Sequence, residues 1–184
     1  MTRDTIAVSQ GWNLVGSLGD AFSTSNVDAF PVGNHLSAFF GFNHGYNSAA
    51  TLNPGFGYWV KSDSAGSIVM HSSSMAPLAG SKSAQSAWNS VTITDEQGNA
   101  QTLYFAFDEK GAINVKDYEM PPAMASLGFD ARYASGRMVE TYNSLDPQHA
   151  KSLPINIQST GSVTVSWNIV ERTVGTAFIA ERKV

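Results

Sequence analysis

The carboxylates are the side chains with the most chemical capacity in this sequence, and three of them lie in one short stretch. Asp108, Asp117 and Glu119 would suit a calcium ion if the loop brought their oxygens together. The spacing differs from that of an EF-hand loop, because Lys110 stands where an oxygen ligand is needed and Gly111 is out of step. A polar turn is the alternative interpretation. No cofactor is therefore required by the sequence, and calcium is the one candidate.

Catalytic motifs are absent from the sequence. The four histidines show no metal-ligand spacing, and the chain has no cysteine. No G-x-S-x-G element marks a serine nucleophile. The paired carboxylates of a glycosidase would have to be Asp117 with Glu119, or Asp130 with Glu140. Asp130 lies two residues before Arg132, so an Asp–Arg pair that pins a loop is the preferred interpretation.

The sequence is accordingly predicted not to encode an enzyme. An enzyme needs a nucleophile or a general acid–base pair that further groups orient inside a pocket, and no such set stands out. A hydrolase is the alternative, with three carboxylates gathered around one cleft beside the Pro121-Pro122 segment: Asp117, Glu119 and Asp130.

Aromatic side chains are dense between residues 39 and 59, among Gly, Asn and His. Exposed aromatic rings stack on sugar rings while amide groups bond the hydroxyls, so this segment is the candidate carbohydrate-binding site. Its predicted residues are Phe40, Phe42, Asn43, His44, Tyr46 and Tyr58. Trp12 and Trp59 have apolar neighbours and are predicted to lie in the core. Trp167 shares the apolar face of its strand, and the same location is predicted for it.

Composition limits the class of protein. Charged residues make up 14% of the 184-residue chain, against about 25% in typical soluble domains. The net charge of -4 gives no field that would hold nucleic acid or an anionic membrane. No run of about 18 apolar residues predicts a membrane span. Residues 1–8 lack the regions of a signal peptide, so Met1 is interpreted as the start of an excised fragment.

Apolar and polar residues alternate with a period of two through much of the chain, and no long window has a helical period. This pattern predicts an all-β protein with two hairpins: 90–94 with 101–107, and 155–158 with 163–169 across Thr160-Gly161. Further strands are predicted at 4–9, 11–16, 37–42, 56–61, 67–71, 137–142 and 176–182.

Residues 72–87 are small and polar, and charged residues become frequent only after residue 80. These features predict two small β-sandwich-like modules in tandem, 1–76 and 84–184, joined by a linker at 77–83. One continuous sandwich or jelly roll is the alternative. The segment 117–131 contains two adjacent prolines and is predicted to be a crossover rather than a central strand.

Two segments of the first half carry a family resemblance. Gly11-Trp12-Asn13-Leu14-Val15-Gly16 and Asn53-Pro54-Gly55-Phe56-Gly57-Tyr58-Trp59-Val60 resemble the WNLVG…PGxGYWV module of bacterial extracellular and surface proteins. The later segments 88–94, 103–107, 117–122, 129–133 and 163–169 follow an order that resembles one region of large secreted proteins of Bacteroidetes/Chlorobi-type bacteria. That region tends to lie near the C-terminal end, ahead of a sorting domain.

The resemblance implies a role and a location rather than an activity. It implies a non-catalytic structural or adhesive module of a larger exported bacterial protein, extracellular or at the cell surface. The expected partners are the neighbouring domains of the parent protein. In the carbohydrate-binding alternative, the partner would be a glycan or another cell-surface polymer.

Overall fold

The computed structural model describes residues 3–16, 19–71, 84–123, 128–143 and 151–170. Within these residues the chain forms fifteen β-strands and three 3₁₀ helices of at most four residues. The protein is all-β, and the predicted fold class is confirmed. In the described part of the chain, no helix is long and apolar enough to cross a membrane.

The first half contains nine strands: β1 (Arg3–Val8), β2 (Gly11–Gly16), β3 (Phe22–Ser23), β4 (Val27–Phe30), β5 (Phe39–Phe42), β6 (Tyr46–Ala49), β7 (Thr51–Leu52), β8 (Gly57–Ser62) and β9 (Gly66–His71). They form sheets of order β1-β9-β4, β2-β8-β5-β6 and β3-β7. In β8, Tyr58, Val60 and Ser62 are buried while the residues between them are partly exposed, as strand alternation requires. The first core therefore lies on one face of the four-stranded sheet, and it contains Val8, Val15, Phe22, Phe39, Leu52, Tyr58, Val60, Ile68 and Met70.

The second half contains six strands: β10 (Asn89–Asp95), β11 (Ala100–Phe107), β12 (Asp130–Tyr133), β13 (Val139–Tyr142), β14 (Ile155–Gln158) and β15 (Val163–Asn168). They form a sheet of order β13-β11-β10-β15 and a pair β12-β14. The pairing of β11 with β13 is parallel, and the other pairings are antiparallel.

A second core crosses the predicted boundary between the halves. It joins Phe40 and Tyr46 of the first half to buried residues of the second, including Ile93, Leu103 and Val139. Trp12 and Trp59 pack against this core and are partly buried. The two halves are therefore in direct apolar contact. The division at 77–83 stays a prediction, because the linker lies outside the described residues.

One predicted hairpin is confirmed. β10 and β11 pair with Thr94 opposite Ala100, and the carboxylate of Asp95 closes the turn. It accepts hydrogen bonds from the backbone N–H groups of Gln97 at 2.9 Å and Asn99 at 2.8 Å. A side chain that bonds its own backbone a few residues ahead is a common turn device, so the turn residues specify this pairing locally.

The other predicted hairpin is wrong as a pairing, although both strands exist. β14 pairs with β12, and β15 pairs with β10. The connection at Thr160-Gly161 therefore carries the chain from one sheet to the other. Alternation of polar and apolar residues identifies which face of a strand is buried, but it carries no information about the neighbouring strand.

Most of the other strand predictions agree with the structure to within two residues at either end. The exception is 176–182, which lies outside the described residues. The described residues of the predicted crossover form no strand before Asp130. The core location of Trp167 is wrong, because this ring is 60% exposed. Val163 and Val165 on the same face contact the second core, so the core ends before the strand does.

Candidate functional site

The chemistry-bearing side chains concentrate where the two halves meet. We call this contact the seam. Its residues are His35, Ala38, Phe40, His44, Gly45, Tyr46, Ser48 and Lys61 in the first half and Gln85, Ala100, Gln101, Asp117, Glu119 and Pro122 in the second.

Gln101 forms the central polar contact of the seam. Its side chain is almost wholly buried, at 2% exposed. The amide oxygen accepts a hydrogen bond from the backbone N–H of Tyr46 at 2.9 Å, and the amide nitrogen donates to the Tyr46 carbonyl at 2.9 Å. Beside it, the N–H of Ala100 donates to the His44 carbonyl at 2.8 Å. The Gln101 side chain therefore satisfies β6 as a neighbouring strand would.

Two contacts between basic and acidic side chains also belong to the seam. Lys61 in β8 contacts the carboxylate of Glu119. The Nε2 atom of His35 lies 2.7 Å from Oδ1 of Asp117, without the alignment of a hydrogen bond. The N–H of Ala38 donates to the backbone carbonyl of Asp117 at 2.9 Å. These contacts attach β8 and the connection between β4 and β5 to the 3₁₀ turn at Val115–Tyr118 and the Glu119 that follows it.

Burial governs the ionisation of Asp117. It raises the pKa of this carboxyl above its usual value, His35 opposes the rise, and the nearby Asp63 carboxylate adds to it. A carboxylate held in this way is already engaged with His35 and with the Asn114 side chain, whose Nδ2 lies 2.8 Å from Oδ1. The negative charge therefore serves a contact within the chain.

The third predicted calcium ligand is used elsewhere. Asp108 accepts hydrogen bonds from the N–H groups of Ala112 and Ile113, each at 2.8 Å. The structure thus engages Asp108, Asp117 and Glu119 with three different sets of groups. In the ranges that the structure describes, no three His, Asp or Glu side chains gather as a metal-binding group.

Asp108→Asn is expected to flatten the acid dependence of stability. Hydrogen bonds from Ile113 and Ala112 hold the pKa of Asp108 below its usual value. The stability that they supply is present above the unfolded pKa of about 3.9 and is lost as the pH falls through the lower folded value. Urea unfolding at a series of pH values should show a lower midpoint for Asp108→Asn at pH 6 and a smaller further loss in acid.

The matched control is Glu109→Gln, which changes the neighbouring exposed carboxyl. Its pH dependence should follow the wild type. If calcium raised the wild-type midpoint and had no effect on Asp108→Asn, the calcium hypothesis would gain support over the loop-holding role.

The predicted pair of Asp130 and Arg132 is confirmed. The two side chains form a bidentate contact, with Nε–Oδ2 and Nη2–Oδ1 distances of 2.6 Å. Arg132 Nη1 also donates to the carbonyl of Pro121 at 2.8 Å. Glu140, the other carboxylate of the glycosidase alternative, contacts Arg137 at 3.1 Å and Lys151 at 3.4 Å. The candidate acid–base residues are therefore held in ion pairs.

The six predicted carbohydrate-binding residues do not share a surface. Phe40 is wholly buried in the seam, and Tyr46 is 3% exposed beside it. Tyr58 is 6% exposed and points into the first core, on the opposite face of the sheet. These three rings offer no open face to a sugar. Phe42, at 43% exposed, remains at the tip between β5 and β6 with two exposed polar residues, Asn43 and His44.

No family model, curated protein or solved structure matches this chain.

Several seam residues were not predicted from the sequence. Gln101 lies two positions before Leu103 on the buried face of β11, and a polar residue in that phase is a signal of a buried hydrogen bond. Lys61 lies on the face of β8 that the alternation predicts to be exposed. His35 lies in a connection that contains no recognisable motif. Their partners are far away in the sequence, so spacing carried no signal for them.

Proposed function

We propose that this chain is a non-catalytic structural or adhesive module of a larger exported bacterial protein, acting beside other domains outside the cell or at its surface. One observation carries the proposal: the charged and amide side chains that were candidates for chemistry hold the chain's own loops and its seam together. Asp108, Glu119 and Asp130 each bond a group of this chain. The sequence resemblance supports the exported context.

The seam supports a mechanical role in particular. Apolar burial of Phe40 and Tyr46 is reinforced by the paired hydrogen bonds of Gln101 and by the contact between Lys61 and Glu119. A contact between the halves that combines a shared apolar core with buried hydrogen bonds resists bending. Separating the halves would lose both the apolar burial and the hydrogen bonds at once. A module of this kind keeps its neighbouring domains in a fixed orientation.

Gln101→Ala is expected to weaken this coupling by about 2 kcal/mol, because two buried backbone groups of Tyr46 lose their hydrogen-bond partners. In wild type the two halves should unfold at one urea concentration. In the variant, hydrogen exchange followed by mass spectrometry should show the β5–β6 peptides losing protection before those of β10–β11.

The control is Gln158→Ala, which removes an exposed amide in β14 and should leave a single transition at the wild-type midpoint. If the Gln101→Ala protein unfolded like this control, the seam would no longer support the proposed mechanical role.

The proposed location and lack of catalysis have their own test. Antibodies against the chain should label intact cells that produce the parent protein. The purified chain should show no turnover in a screen of glycosidase, esterase and peptidase substrates, with and without calcium. Turnover abolished by both Asp117→Asn and Glu119→Gln would overturn the non-catalytic role.

Carbohydrate binding is the competing proposal, now limited to the tip formed by Phe42, Asn43 and His44. His44 has a positive φ of 55°, which is uncommon for a residue with a side chain. The seam accounts for it, since the His44 carbonyl accepts the hydrogen bond from Ala100. Glycan-array binding that is lost in Phe42→Ala would favour this competitor over a purely structural role.

A further inference from the structure

One face of the second-half sheet is open at one end. On β10, Asn89 lies opposite Phe105 of β11. Two positions further along, Val91 lies opposite Trp167 of β15. Opposed residues share a face, as do residues two apart on a strand, so these four side chains lie on one face. Gln101 carries the other end of this face into the seam, whereas Trp167 is 60% exposed.

Two more aromatic rings lie at the open end. Tyr142 of β13 is opposite Phe107 of β11, and its ring centroid is 5.6 Å from that of Phe107 and 6.3 Å from that of Phe105. All three rings are partly exposed, and none belongs to either core of the described residues. We call the surface of Trp167, Phe105, Phe107 and Tyr142 the aromatic end. Exposed apolar surface of this kind is typical of a contact site.

The chain leaves β15 towards this face. Asn89 is wholly buried, and its side-chain oxygen accepts a hydrogen bond from the backbone N–H of Val170 at 2.8 Å. In a continued strand this N–H would point along the sheet, towards or away from the neighbouring strand. Here it meets a side chain that stands roughly perpendicular to the sheet. Val170 is therefore held over the face at β10, the strand between those of Trp167 and Phe105.

We propose that the aromatic end is covered by residues 171–184 of the same chain, which lie outside the described residues. Their sequence suits an apolar surface with a polar rim. Residues 173–180 contain no charged residue, and they include Val174, Phe178 and Ile179. The charges stand on either side, in Glu171-Arg172 and in Glu181-Arg182-Lys183. Phe178 and Ile179 gain burial on the rings while the flanking charges stay in water.

The segment is long enough to cross the sheet. Phe178 comes eight residues after Val170, and an extended chain advances about 3.3 Å per residue, so it can reach about 26 Å. Crossing from β15 to β13 takes three steps between neighbouring strands. At about 4.8 Å for each step, the crossing needs about 14 Å. The apolar residues of the segment can therefore reach every ring of the aromatic end.

A segment of the same chain has an advantage over a separate partner. Its first residues follow directly from Val170, which the Asn89 side chain holds at the face. A short tether gives an effective concentration on the order of millimolar, which a separate protein would have to exceed. The inference goes beyond the proposed structural role and does not depend on it, because it concerns only how this chain closes its own sheet.

Hydrogen exchange of the whole chain, followed by mass spectrometry, tests this contact. Peptides from 171–184 should exchange at least about tenfold more slowly than a synthetic peptide of the same sequence, because docked amides are protected. Trp167→Ser removes the largest ring of the aromatic end, and Phe178→Ser removes the ring proposed to meet it. Each variant should bring the exchange of 171–184 to within about threefold of the free peptide.

The matched control is Val32→Ser, which changes an apolar residue of the first half that is 91% exposed. It should leave the protection of 171–184 at the wild-type level. Urea unfolding checks that each variant is folded. Phe178→Ser keeps every described residue, so it carries the test if Trp167→Ser does not fold.

The proposal is overturned if 171–184 exchange like the free peptide in the wild type. It is also overturned if the folded variants keep the wild-type protection, or if Val32→Ser loses protection to the same extent. Protection that rises with protein concentration, together with a dimer in sedimentation velocity, would assign the aromatic end to a second copy instead and would equally overturn it.

Discussion

Gly45→Ala is expected to lower the free energy of unfolding by about 3 kcal/mol or more, since overpacking of a tight contact costs 1–3 kcal/mol and at times exceeds this. A Cβ atom at this position would overlap the carbonyl oxygen of Ala100 and lie 3.0 Å from its carbonyl carbon. Both atoms belong to the backbone of β11, so no side-chain rotation relieves the clash. The β5–β6 tip would have to withdraw, breaking the hydrogen bond between Ala100 and His44.

Gly19→Ala is the matched control for this substitution. No atom lies within 4 Å of the position that its Cβ would occupy, and its φ is outside the left-handed region. Thermal and urea unfolding of both variants should show Gly19→Ala close to wild type and Gly45→Ala strongly destabilised. Equal midpoints for the two variants would mean that the seam is looser than its backbone contacts indicate.

Arg132→Ala is expected to cost about 3 kcal/mol, the lower end of the penalty for breaking a buried ion pair from one side, because the pair is largely but not fully buried. The side chains of Arg132 and Asp130 are each 14% exposed. Removing the guanidinium leaves the Asp130 carboxylate without its bidentate donor and removes the hydrogen bond to the Pro121 carbonyl. Urea unfolding of the folded variant measures this cost directly.

A double-mutant cycle separates the pair from the rest of Arg132. Asp130→Ala alone should also destabilise the protein, and the double variant Asp130→Ala/Arg132→Ala should cost less than the sum of the two single changes. Strictly additive costs would contradict the loop-pinning role, because they would show that the two side chains do not depend on each other.

The existence of the strands could be predicted from the sequence, because a period of two is a local property. Pairing was predictable only where the turn was itself specified, as at Asp95 between β10 and β11. Between β14 and β15 the same alternation and a similar turn led to the wrong neighbour. The difference is physical: the carboxylate of Asp95 fixes its turn, whereas Thr160-Gly161 permits a crossing between sheets.

The same distinction between local and long-range contacts applies to the site residues. Asp130 and Arg132 lie two residues apart on one strand, so their pairing could be predicted from the sequence. Tyr46 and Gln101 are brought together by tertiary packing, and neither has a motif around it. The predicted carbohydrate-binding surface failed for a related reason. Phe40 and Tyr58 are close in the sheet, but their side chains point to opposite faces.

The strand order also determines when each strand gains its partner during translation. β1 pairs with β9, so every described strand of the first half has its partner once residue 71 has left the ribosome. β10 needs β15, and the sheet of the second half is completed only near the end of the described chain. Since chains emerge at roughly 5–20 residues per second, the strands of the first half have their partners seconds before the second half is complete, and Phe40 and Tyr46 lack their covering residues until then. During that interval the surface that later joins the halves is the one that chaperones or a neighbouring nascent chain would meet.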